Sequence, residues 1–165
     1  MRILKANITD LQDISALITA CRLFLINAGV HQWDEAYPDS GIICRDISQG
    51  ELYIAMIAGE LVGGVTLNQN EDPEYSQIPW RYSTPALVIH RLCVSPSRQG
   101  HGIGSALMAF AEEHARAARH SSIRLDVYSG NPIAVNLYKH LGYSTAGQFT
   151  FPSREHPFYC MEKCI

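Results

Sequence analysis

Between Leu92 and Ser105 the chain changes character in a way that few folds accommodate. An apolar strand pattern, Leu92-Cys93-Val94, runs into Ser95-Pro96-Ser97-Arg98-Gln99, and then Gly100, Gly102 and Gly104 alternate with His101 and Ile103 before Ser105. Ile103, Leu107, Phe110, Ala111 and Ala118 follow along one face of a helix. A strand that passes through glycines into a helix aims bare backbone N–H groups and the positive end of a helix at one point. That combination is a site for a phosphate-bearing ligand.

The rest of the chain sets that turn inside a mixed α/β order. Residues 2–7 read as a short strand. Thr9-Asp10-Leu11-Gln12 reads as a capping box with Thr9 at the N-cap. Leu11, Ile14, Leu17, Ile18, Cys21 and Leu25 then keep helical spacing up to Asn27-Ala28-Gly29, a helix stop. Residues 30–40 form a loop carrying Trp33, Asp34, Glu35 and Tyr37, and 39–49 a second, shorter helix. Two strand-like runs, 51–58 and 61–68, joined at Gly59-Glu60, predict a β-hairpin. Residues 69–85, polar and holding Pro73, Pro79 and Pro85, predict a long loop of the kind that is often functional or mobile. Beyond it come a buried strand over 86–94, the glycine turn and its helix, a strand over 122–128, a helix over 131–141 and two closing strands, 144–151 and 157–163.

Size and charge narrow what such a chain does. A length of 165 residues predicts one domain, 1–165, with one substantial core. A net charge of -3 argues against a general nucleic-acid or membrane-surface binder, and no apolar stretch is long enough to span a bilayer. Met1-Arg2-Ile3-Leu4-Lys5 lacks the apolar run of a secretory signal. Five cysteines, Cys21, Cys44, Cys93, Cys160 and Cys164, are scattered and odd in number, with no C-x-x-C pair. They predict reduced thiols in a cytoplasmic protein and no metal site.

The glycine turn admits several readings. Its glycines alone are compatible with tight packing and nothing more. A dinucleotide fingerprint fits poorly, because the sixth position counted from Gly100 is Ser105 and from Gly102 is Leu107. A Walker loop fails because no Gly-Lys-Ser/Thr closes the run. The pattern Gln99-x-x-Gly102-x-Gly104, preceded by Arg98 and Leu92-x-Val94, closely resembles the acetyl-CoA signature of the GNAT (GCN5-related N-acetyltransferase) superfamily. Asn131-Pro132-x-Ala134-x-x-Leu137-Tyr138-x-x-x-Gly142-Tyr143 resembles that superfamily's second motif, in the expected order and at the expected separation.

The resemblance implies an acyl-CoA N-acyltransferase-like α/β fold. Its sheet is mixed and mostly antiparallel, of about seven strands, with flanking helices. It implies acetyl-CoA as acyl donor, an amine as acceptor, direct transfer in a ternary complex, and allows a homodimer. The backbone from Gln99 through Gly100, His101, Gly102, Ile103 and Gly104 to Ser105 would hold the pyrophosphate, with charge from Arg98 and from His101 when protonated. Leu92, Cys93 and Val94 would pair with the pantetheine amides through their main chain, and an N–H near Leu92 or Cys93 would polarise the thioester carbonyl. Asn131 reads as an N-cap before Pro132 and, by resemblance, as a hydrogen-bond partner of the cofactor arm. Tyr138 fits a core aromatic; the resemblance makes it the acid that protonates the departing thiolate.

No family-wide base exists to carry over. Glu35, flanked by Trp33 and Tyr37 as walls of an acceptor pocket, ranks ahead of His90, which sits in a buried-looking strand beside the thioester region; Glu155 is a third candidate. Each also has a plain reading as a solvated loop charge or a strand histidine. Trp80, Arg81 and Tyr82 fit either the acceptor side or an ordinary surface loop. A longer acyl group, a hydroxyl acceptor, and a CoA-binding sensor without turnover are the competing functions.

Overall fold

Alternating and helical apolar patterns become eleven regular elements in the computed structural model, which describes residues 1–82 and 84–165. In chain order these are β1 (Arg2–Lys5), α1 (Leu11–Asn27), α2 (Ser40–Ser48), β2 (Leu52–Ile57), β3 (Glu60–Asn68), β4 (Ala86–Val94), α3 (Ile103–Ala117), β5 (Ser122–Tyr128), α4 (Pro132–His140), β6 (Ser144–Phe149) and β7 (Phe158–Cys164). The strands form one sheet in the order β1-β2-β3-β4-β5-β7-β6. Pairing is antiparallel for β1–β2, β2–β3, β5–β7 and β6–β7, and parallel for β4–β5. This is the mixed, mostly antiparallel sheet of seven strands that the resemblance implies.

By contacts the chain divides into two units, residues 1–67 with 91–110 and residues 68–90 with 111–165. In the first, α1 buries Ile14, Leu17, Ile18 and Cys21, the i, i+3, i+4, i+7 stripe of its sequence. These pack with Trp33, Ile43, Ile47, Leu52, Ile54 and Cys93 in one apolar cluster. Each large member contributes about 1.5–3 kcal/mol by leaving water. Two local details differ from the sequence reading. The capping box is Asn7 with Asp10, on a 3-10 turn (Ile8–Asp10) that leads into α1, rather than Thr9 with Gln12. The hairpin turn is Ala58-Gly59, not Gly59-Glu60. Both turn residues have positive φ, +49° and +84°, the geometry that matches the twist of the flanking strands.

In the second unit, Ile123, Leu125 and Val127 on β5 are buried in register with Lys163, Met161 and Tyr159 of β7. The opposite face of β5 carries Arg124, Asp126 and Tyr128, opposite Glu162, Cys160 and Phe158. The stretch 69–85, expected as a long loop, is one, held in place within this unit; Ser83, within it, lies outside the described residues. Pro73–Gln77 forms a 3-10 turn that buries Tyr75 with Ile78, Val88 and Cys160. The buried Glu162 carboxylate accepts the N–H groups of Arg81 (2.9 Å) and Tyr82 (3.3 Å). Arg124 donates to Glu71 and to the Tyr82 carbonyl (2.8 Å), with its guanidinium 4.6 Å from the Trp80 ring centre. Composition predicts a loop here because these anchors come from strands far away in sequence.

Among the described residues, no helix is long and apolar enough to cross a membrane.

Candidate active site

In the first unit the glycine turn takes the form its sequence requires. After Val94 a 3-10 turn (Pro96–Arg98) is closed by the Arg98 N–H donating to the Ser95 carbonyl at 2.8 Å. Gly100 and Gly102 then have φ of +78° and +77°, a region that costs other residues roughly 1–2 kcal/mol. Open space surrounds the position a side chain would occupy on each. Gln99, Gly100, His101 and Gly102 are all exposed. Helix α3 starts at Ile103, so the N–H groups of Ile103, Gly104 and Ser105 have no carbonyl inside the helix to reach. The turn thus offers a bare run of main chain and a helix N-terminus to solvent.

The side chains of the turn are engaged in shaping it. Gln99 Nε2 donates to the Val94 carbonyl (3.3 Å), and His101 Nδ1 lies 2.9 Å from the Gln99 carbonyl. A carbonyl only accepts, so Nδ1 of His101 carries a proton. Arg98 pairs with Glu60, both about half exposed, an ion pair of the kind worth under about 1 kcal/mol.

Leading into the turn, β4 is distorted. Its parallel pairing with β5 runs from Ala86↔Ser122 to Ile89↔Leu125. Two residues further on, Arg91 has φ +52°, a backbone state rare for a non-glycine residue and strained within a strand. The side chain is held from both ends. Nε and Nη2 donate to Asp46 Oδ2 at 2.9 and 2.7 Å, and Nη1 donates to the Tyr37 hydroxyl at 3.0 Å. Thr66 Oγ1 donates to the same Asp46 oxygen at 2.9 Å. Nothing in the local sequence signals this distortion, nor the part that Arg91 and Asp46 play in it.

Cys93, next but one, is buried beside Cys21, whose thiol donates to the Val94 carbonyl at 3.3 Å. The Cys21 contact and burial push the Cys93 thiol well above its ordinary range. It is therefore a protonated thiol and a poor nucleophile. The close approach of β3 leaves no room beside the strand here: a Cβ on Gly63 would come 2.9 Å from the Cys93 carbonyl oxygen.

The 28–39 loop separates the residues expected to wall an acceptor pocket. Trp33, 6% exposed, belongs to the apolar core beneath α1 rather than to a pocket wall. Glu35 and Tyr37 are exposed, in a turn where Asp34 Oδ1 accepts the N–H groups of Ala36 and Tyr37 at 2.9 and 3.0 Å.

The second unit holds the remaining candidates. His90 Nε2 lies 3.1 Å from Asn68 Oδ1 and 3.0 Å from the Asn70 carbonyl oxygen. The carbonyl fixes Nε2–H as donor, so neutral His90 has its lone pair on Nδ1. Asn131 caps α4, its Oδ1 accepting from the Ala134 N–H at 3.1 Å with Pro132 in the first turn. Tyr138, on α4, is 7% exposed, and burial followed by the charge of Asp126 holds its phenol well above the ordinary range. Asp126 itself accepts the Tyr75 hydroxyl at 2.8 Å and, after burial, is the largest influence raising the Cys160 thiol to about 12. This carboxylate is half-buried, on the face of β5 away from Ile123, Leu125 and Val127.

Comparison with known proteins places these features in context. The model of the acetyltransferase (GNAT) family matches residues 16–143, most of the chain. An uncharacterized N-acetyltransferase, YesJ of Bacillus subtilis (strain 168), is 25% identical over 142 residues, spanning 84% of this chain and 78% of that protein. A streptothricin acetyltransferase of Escherichia coli is 31% identical over 104 residues, 62% of this chain and 53% of that protein. A solved PaiA N-acetyltransferase from Thermoplasma acidophilum, in complex with coenzyme A, superposes with a TM-score of 0.75 over 99% of this chain and 98% of that one. At 17% identity it speaks for the fold alone.

Proposed function

Since the chain belongs to the acetyltransferase (GNAT) family, we propose that it is an N-acetyltransferase that moves an acetyl group from acetyl-CoA to a primary amine by direct attack in a ternary complex, with residues 1–165 acting as one catalytic domain. The observation that carries this reading is the exposed run Gln99–Gly102, with its two left-handed glycines opening onto the start of α3. Bare N–H groups there suit the oxygens of a pyrophosphate, and Gly100 and Gly102 let the main chain approach them closely. Arg98 exchanges its exposed partner Glu60 for phosphate charge, and the main chain of Leu92, Cys93 and Val94 pairs with the pantetheine amides. The NH2 of Asn131 is the donor proposed for the cofactor arm.

In the transfer, the neutral amine attacks the thioester carbonyl carbon. An N–H at Leu92 or Cys93 stabilises the oxyanion of the tetrahedral intermediate. The C–S bond then breaks, the amine nitrogen loses a proton to a base, and Tyr138 gives its phenolic proton to the sulfur. Tyr138 is protonated through the neutral range, as a proton donor must be, although burial makes its phenol a weaker acid than an exposed one. Glu35 and His90 are the candidate bases, and the Nε2–H of neutral His90 is committed to the Asn70 carbonyl. Glu35 and Tyr37, exposed on their loop, are assigned to the acceptor side. The net charge of -3 favours a cationic acceptor.

Mass spectrometry of reactions with acetyl-CoA and lysine, spermidine, tyramine or a peptide with an N-terminal alanine tests this directly. An amine gaining one acetyl group, with matching release of CoA thiol, is the expected result. CoA binding without product from any amine would mean a sensor. Faster turnover with a longer acyl-CoA, or a product acetylated on oxygen, would reassign the donor or the acceptor.

A further inference from the structure

Arg91 combines features that seldom coincide. Its backbone sits at φ +52° in the middle of a strand, and its guanidinium is about nine-tenths buried against Asp46, whose side chain is 4% exposed. A buried ion pair is poor value for stability alone, since desolvation offsets most of the attraction. A strained backbone persists only where its surroundings hold it. Both features lie immediately before Leu92 and Cys93, and the charged group also reaches Tyr37 on the 28–39 loop.

We propose that Asp46 and Tyr37 are positioning residues for acyl transfer: by gripping the Arg91 guanidinium from α2 and from the acceptor loop, they fix the turn of β4 that orients the Leu92 and Cys93 N–H groups toward the thioester oxygen. The mechanism is geometric. Asp46 holds two nitrogens of Arg91 through one oxygen, which Thr66 keeps in place. A planar guanidinium held at Nε and Nη2 by one oxygen and at Nη1 by a second partner has little freedom to turn, which restricts where the Arg91 backbone can sit. Tyr37 takes the third nitrogen and links the loop that carries Glu35 to the same group. Movement of that loop on acceptor binding thereby reaches the strand that holds the acyl group. Oxyanion donors act only within a few tenths of an ångström of their proper place, and misplacement by about 1 Å reduces rate on the order of a hundredfold.

This inference rests on the proposed function, in which Leu92–Val94 holds the thioester arm. The experiment therefore reads acetyl-CoA affinity and turnover separately, on Asp46→Asn and Tyr37→Phe, with the fastest amine of the panel above as acceptor. Amide NMR follows Leu92, Cys93, Gly100 and Gly102. Expected for Asp46→Asn is a fall in kcat of at least tenfold with acetyl-CoA affinity within threefold of the parent, because the pyrophosphate turn is untouched. Tyr37→Phe, which removes one exposed hydroxyl, is expected to keep the melting temperature and lower kcat about threefold. In both variants the Leu92 and Cys93 amide signals move while those of Gly100 and Gly102 stay. Should Asp46→Asn not fold, Tyr37→Phe decides. A folded variant with unchanged kcat and unmoved Leu92 and Cys93 amides overturns the inference. Equal losses of affinity and kcat, with all four amides shifted, would mark a general structural role and overturn it too. Failure of the parent protein to bind acetyl-CoA would overturn the proposed function and this inference with it.

Discussion

Arg91 and Arg124 are both buried strand arginines bonded to carboxylates, and they do different things. Arg124, in the unit of residues 68–90 and 111–165, sits in regular register, opposite Glu162 on β7 and Val88 on β4. Its bonds go to Glu71 and to the Tyr82 carbonyl, and its flat face lies over Trp80. The effect is to fasten the 71–82 segment to the sheet. Arg91, in the unit of residues 1–67 and 91–110, leaves the regular strand backbone and is gripped by a helix and a loop. Its effect is on the path of its own strand. One buried charge anchors a segment, the other shapes a strand, and the backbone angle tells them apart.

The largest expected effect sharpens that contrast. Arg124→Met leaves Glu71 without its cation and the Tyr82 carbonyl without its donor, so urea denaturation should show a loss of about 3–5 kcal/mol. The folded fraction should keep its kcat. A fall in kcat without loss of stability would erase the distinction from Arg91.

Next in size, Tyr138→Phe asks whether the Arg124 unit contributes chemistry as well as anchoring. Steady-state kinetics should show kcat reduced about a hundredfold, equivalent to about 2.7 kcal/mol, with little change in acetyl-CoA affinity. Unchanged kcat would leave Tyr138 a core aromatic. Smaller again, Gly102→Ala has no neighbour to clash with, so only its left-handed backbone resists. Calorimetry should find acetyl-CoA bound about tenfold more weakly, from a backbone cost of roughly 1–2 kcal/mol.

The smallest effect is electrostatic. Burial first, then Asp126 and Asp72, raise Cys160 from 9.0 to about 12 in the fold. A pKa raised on folding means that the neutral thiol is favoured by the native state. Its contribution is complete below pH 9 and is lost as pH climbs toward 12. Thermal unfolding from pH 8.5 to 11 should therefore show a declining melting temperature, with a shallower decline in Cys160→Val. An identical slope in the variant would remove Cys160 from the alkaline transition.

Local rules made much of this legible. The glycine turn could be read because left-handed backbone has a residue signature, and α4 because Asn131-Pro132 is a cap with its helix start attached. The apolar stripe of α1 was visible for the same reason. What escaped depends on partners distant in sequence. Arginine at φ +52° carries no signature, and Asp46 lies 45 positions from Arg91. The 69–85 stretch reads as loop because prolines and polar residues dominate it, while Glu162, 81 positions from Arg81, supplies the order. Trp33 shows a further limit: an aromatic between polar neighbours looks like a pocket wall, yet it fills the core beneath α1.

An NMR titration of the parent protein with acetyl-CoA, following the amides of Gln99 through Ser105, probes the pyrophosphate turn most directly. Saturable shifts concentrated in those amides, reproduced by CoA and absent with adenosine, are expected. Shifts confined to other parts of the chain, or no saturable response to acetyl-CoA, would contradict a main-chain phosphate site.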